Sequence, residues 1–170
     1  MIWIIKFCNL ILFDYICAMT LHEAFEKYEI RYFTCEEFTA SRTAMARSID
    51  NVPRSSRVLL NLFRLGFFMD YCRNFTGSPI RISSGYRSSA LNRAVGGVPQ
   101  SRHLIGCAVD ILHTTDYEQI YEFIKPYARY INNYKNRGYF HCDFTETFLQ
   151  NFFNNHHPRS YETEIVIGSF

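Results

Sequence analysis

Two short segments hold the residues of this chain best suited to chemistry: Ser84-Gly-Tyr-Arg-Ser88 and Ser101-Arg-His-Leu-Ile-Gly-Cys-Ala-Val-Asp110. The second places His103 seven residues before Asp110, and a later segment, Gly138-Tyr-Phe-His-Cys-Asp-Phe144, adds His141. Two imidazole nitrogens and one carboxylate oxygen form a ligand set for a catalytic zinc ion, because three protein ligands leave the fourth position open to water. The chemistry this set suits is metal-assisted hydrolysis.

Strand alternation places Ala108 and Asp110 on one face and Val109 and Ile111 on the other. An aspartate flanked by Val109, Ile111 and Leu112 is costly unless it is paired or bound to metal. A hydrogen bond to backbone or to an arginine is the structural alternative. On the later segment Tyr139, His141 and Asp143 share a face, and Cys142 points away as a core thiol. Arg87, presented at a strand end, suits a substrate carboxylate or an oxyanion, or else an acidic neighbour. His22, His113, His156 and His157 are read as non-catalytic.

Several elements must position these residues. Thr34 and Glu37 have capping-box spacing, so a short helix begins there. Asn51-Val-Pro53 opens the longest helical pattern, which Gly77-Ser-Pro79 closes. Strands are expected at 80–83, 108–112, 129–134 and 138–144, with a turn at Lys135 to Gly138. A helix capped by Ser88 or Ser89 runs through Ala94, and another runs from Asp116 to about Lys125. In the tail, Asn154 to Pro158 suggests a turn and Glu164 to Ile167 an edge strand. Strands mixed with segregated helices predict an α+β fold, a small antiparallel sheet with flanking helices.

At 170 residues the chain has room for one domain, taken as 19–170. Residues 1–18 read as an apolar extension or a false start. They are too short and too broken by Lys6 for a stable membrane span, and no positive charge precedes the apolar run as in a signal peptide. A net charge of +2 gives no basic field for nucleic acid. The six cysteines lack framework spacing, so buried free thiols are expected. Aromatic residues, 17% of the chain, must fill the core and line a groove.

The motif Ser101-x-His103-x-x-Gly106-x-Ala108-x-Asp110, with Ser84-Gly-Tyr-Arg-Ser88 upstream, resembles the zinc D-Ala-D-Ala carboxypeptidase family of peptidoglycan peptidases, which includes VanY-type enzymes and phage endolysins. The resemblance runs from about Tyr32 to Phe144 and implies the hedgehog/DD-peptidase fold. It implies zinc held by His103, Asp110 and His141, with Arg87, Ser101 and Tyr139 toward substrate. The implied substrate is a peptidoglycan stem peptide, cut at D-Ala-D-Ala or L-Ala-D-Glu, and the enzyme is expected to act as a monomer. Such an enzyme works in the periplasm or cell wall, or waits in the cytoplasm until released. Many members carry a glutamate three residues before the last histidine, and here that position is Gly138. Asp143 is therefore the candidate for general base or for orienting His141. A zinc module that binds cell wall or a partner without cutting is the alternative.

Overall fold

The computed structural model describes residues 20–157. Expectations for residues 1–18 and for the strand at 164–167 lie outside them. Among the described residues, six α-helices and a four-stranded antiparallel sheet make an α+β fold. The helices are α1 (Leu21–Lys27), α2 (Arg42–Ala46), α3 (Ser56–Thr76), α4 (Ser89–Ala94), α5 (Tyr117–Ile124) and α6 (Glu146–His156). The strands are β1 (Ile82–Ser84), β2 (Ala108–Leu112), β3 (Tyr130–Tyr134) and β4 (Tyr139–Asp143), in the order β1-β2-β4-β3.

The sheet separates the core from the site. Val109, Ile111, Phe140 and Cys142 are fully buried in the hydrophobic core. The alternate residues Asp110, Tyr139, His141 and Asp143 line a cavity on the other face. Against the core lies α3, which buries Val58, Leu60, Leu62, Phe63, Leu65, Phe68, Met69 and Cys72. A helix apolar around most of its circumference belongs inside a domain, and α1, α5 and α6 pack around this one. Phe68 meets Phe144, Phe148 and Phe152 edge-on, with ring centres 4.8–5.2 Å apart, so part of the aromatic content fills the core as expected. Cys35, Cys72, Cys107 and Cys142 are buried and free.

Three local expectations are corrected. The long helix starts at Ser56 rather than at Asn51-Val-Pro53, because Asn51 is used elsewhere. Its amide donates to the carbonyls of Thr39 and Tyr86 at 2.8 and 3.2 Å, and its Oδ1 accepts from the Ser88 amide at 2.7 Å. Residues 154–156 are not a turn but the end of α6, which Thr145 caps through the Phe148 amide at 3.0 Å. Phe148, Leu149, Phe152 and Phe153 give that helix its apolar stripe against α3. Asp116 precedes α5 without capping it, and its Oδ2 instead accepts from the Ser78 hydroxyl at 3.2 Å.

The hairpin of β3 and β4 closes through a 3-10 turn, Lys135–Arg137. Gly138 ends the turn at φ 70°, in the left-handed region that favours glycine.

Candidate metal centre

Antiparallel pairing of β2 with β4 sets Asp110 directly across from His141. His103 reaches them from a 3-10 helix, Arg102–Ile105, that ends at Gly106 with φ 71°. A side chain at 106 would also press on Leu62 and on the Val58 carbonyl of α3, at 2.9 and 3.0 Å. Glycine is required there twice, for the backbone turn and for the close approach. Together these constraints bring residues 103, 110 and 141 to one place.

Three atoms converge: His103 Nε2, Asp110 Oδ1 and His141 Nδ1. Their separations are 3.3 Å between the histidines, 2.8 Å from His141 to Asp110 and 3.4 Å from His103 to Asp110. Tetrahedral ligands bound at about 2.0–2.1 Å stand ~3.3 Å apart, so the set has the dimensions of a zinc site.

Neighbouring groups fix which atoms face the centre. His103 Nδ1 lies 2.5 Å from the Gly85 carbonyl and donates its proton there, leaving the Nε2 lone pair to the cluster. Burial lowers the His103 pKa and favours the neutral ring. Arg87 pairs with Asp110 Oδ2, and its Nε donates to Ser84 Oγ at 2.9 Å. This pairing is the acidic-neighbour alternative, and it leaves Asp110 Oδ1 toward the cluster. Burial alone would raise the Asp110 pKa, but hydrogen bonds from His103 and His141 outweigh it and hold the carboxyl well below its usual range. Burial opposes charge on His141 too, yet Asp110 and Asp143 prevail and raise its pKa to about 9. Electrostatically the cluster favours a positive charge at its centre.

Asp143 stands behind His141, with Oδ2 at 3.5 Å from Nε2. Arg129, which the sequence reading passed over, grips Asp143 from Nε and Nη2 at 2.7 and 2.8 Å. Against the opposing effect of burial, hydrogen bonds from His141 and Arg129 lower the Asp143 pKa. A strand-edge arginine 14 residues from its partner carries no sequence signal, and only the β3–β4 register brings the two together.

All seven predicted site residues line one cavity of about 520 Å³: Arg87, Ser101, His103, Asp110, Tyr139, His141 and Asp143. One wall is the loop from Val95 to Arg102, and the other is the β3–β4 hairpin with Tyr130, Tyr134 and Arg137. The Ser101 hydroxyl makes no capping bond, and Tyr139 stacks on Tyr134 with ring centres 5.0 Å apart. The volume suits a bound peptide segment. Elsewhere, His113 stacks on Tyr117 at 3.8 Å, and His22, Cys35 and Glu36 form a second, largely exposed group of metal-capable side chains.

The family model described as Peptidase M15 matches residues 31–143. A search of curated proteins found no match.

Proposed function

The chain belongs to the Peptidase M15 family, and from that premise we propose that it is a zinc-dependent peptidase hydrolysing peptidoglycan stem peptides, at D-Ala-D-Ala or L-Ala-D-Glu bonds. Convergence of His103, Asp110 and His141 at the base of an open cavity carries this reading. Zinc held by these three residues would supply Lewis acidity and lower the pKa of a coordinated water toward about 7.

The chain's own residues do the rest. The Gly85 carbonyl sets the His103 tautomer, and Arg87 turns Asp110 so that Oδ1 faces the ligand set. Asp143 orients His141 through Nε2. As the cavity's remaining carboxylate it is, in the alternative role, the candidate to take the water's proton and pass it to the leaving amine. Arg87, on the cavity wall and paired with Asp110, is placed to donate a hydrogen bond to the developing oxyanion. Ser101 and Tyr139 flank the peptide. The enzyme meets its substrate in the periplasm or wall, or after release from the cytoplasm.

One observation favours a second reading, a zinc module that binds cell wall or a partner without cutting. It is Gly138 at the position where many relatives carry glutamate, combined with the engagement of Asp143 by Arg129. Zinc content and muropeptide release, measured on wild type and Asp143→Ala, decide between the two. The peptidase reading expects one zinc per chain in both proteins and hydrolysis only in wild type. Zinc without hydrolysis of either bond type supports the binding module, and absence of zinc removes both.

A further inference from the structure

Although the chain carries a net charge of only +2, the cavity lining has more cations than anions. The lining holds Arg87, Arg102, Arg129 and Arg137 against Asp110 and Asp143. Arg87 is engaged by Asp110 and Arg129 by Asp143. Arg102 and Arg137 form no ion pair among the described residues. Arg102 donates from Nε and Nη2 to the neutral Phe144 carbonyl at 3.3 and 2.8 Å. The guanidinium carbon of Arg137 lies 5.8 Å from the Tyr134 ring centre.

Their placement along β4 is informative. Arg137 precedes the strand by one glycine, while Arg102 is tied to Phe144 just beyond its far end. His141 sits midway between. From residue 139 to 144 the backbone advances about 17 Å, the span of roughly five extended residues. Two cations without an ion-pair partner among the described residues thus bracket the ligand set at the two ends of the strand that carries His141.

We infer that the cavity selects an extended peptide with a carboxylate on each side of the cleaved bond, one held by Arg102 and the other by Arg137. This rests on the peptidase reading for the position of the bond, but the charge recognition is a binding property and stands separately. The ion-paired Arg87 and Arg129 have their charge cancelled locally, so Arg102 and Arg137 are the residues that distinguish an acidic peptide from its amide. An anionic ligand also meets the field of the metal, and both effects weaken with salt.

The test is equilibrium binding to the zinc-loaded protein of a five-residue peptide with a carboxylate at each end and a reduced, uncleavable central bond. Its diamide serves as control, and Arg137→Gln and Arg102→Gln are compared with wild type. The diacid should bind more tightly than the diamide, with the difference shrinking at high salt. Each substitution should weaken the diacid by about fivefold, the scale of one partly exposed ion pair, and leave the diamide unchanged. Equal affinity of wild type for both peptides, or an Arg137→Gln protein that still binds the diacid as wild type does, overturns the inference. Arg137 lies in an exposed turn, so its substitution keeps the test valid even if Arg102→Gln impairs folding. Hydrolysis of the cleavable counterparts is followed in parallel. Discrimination without hydrolysis upholds the charge recognition and removes the peptidase reading, whereas hydrolysis without discrimination does the reverse.

Discussion

Asp143 and Arg129 show how much of a metal site lies behind its ligands. His141 offers one nitrogen to the cluster and the other to Asp143, and Arg129 holds both carboxylate oxygens. Partners of this kind raise ligand basicity and lock ring orientation. Arg129→Ala is expected to weaken zinc affinity by roughly 10- to 100-fold, measured by competition with a chromophoric chelator. Arg129→Lys should recover only part of the loss, because an ammonium cannot match both oxygens of the carboxylate at once. Unchanged affinity in Arg129→Ala would reduce the pair to a surface ion bridge. At this scale the ligand candidates were legible because His103 and Asp110 sit in one motif and His141 shares a strand face with Tyr139 and Asp143. Arg129 was not, since its partner is fixed by strand pairing, and Asn51 was mistaken for a helix start because its polar contacts lie 12 and more residues away.

Among the elements, β2 was readable to the residue, and the cap of α4 to one of two serines, of which Ser88 receives the Leu91 amide. Each is specified locally, by alternation or by a side chain reaching its own first turn. The helix α6 escaped detection because Gln150, Asn151, Asn154 and Asn155 interrupt its apolar pattern and because its burial depends on α3. It is anchored at its first turn by Glu146, which accepts from Arg57 Nε at 2.8 Å and from Asn61 at 3.1 Å. The Arg57 hydrogen bond is the main cause that lowers the Glu146 pKa to about 2. A carboxyl with a depressed folded pKa stabilises the fold above its ordinary value, and that contribution is lost as pH falls through the folded value. Urea unfolding should therefore show stability declining between about pH 4.5 and pH 2, with a smaller decline in Arg57→Ala. The difference should be modest, because Arg57 is largely exposed to solvent. Identical pH dependence in the two proteins would show that this pair does not anchor α6.

For the whole molecule, the ligand set draws on the loop after α4 and on two strands, so a bound ion would tie those segments together. Metal binding to the folded state alone adds to folding free energy. At a hundredfold excess over Kd, zinc should raise the Tm by roughly 5–10 °C, reversed by chelator. A Tm indifferent to zinc and chelator would argue against resident metal. Fold class and sheet composition were legible at this scale because the α+β pattern follows from which segments alternate and which do not. The order β1-β2-β4-β3 was not, because strand order depends on pairings between distant residues.

The left-handed turn at Gly138 bears on how this chain differs from its relatives. Placing a glutamate at that one position would force a residue with a Cβ into a conformation that costs about 1–2 kcal/mol. An acid brought in at 138 is therefore expected to lower stability by about that amount unless the Lys135–Arg137 turn is redrawn with it.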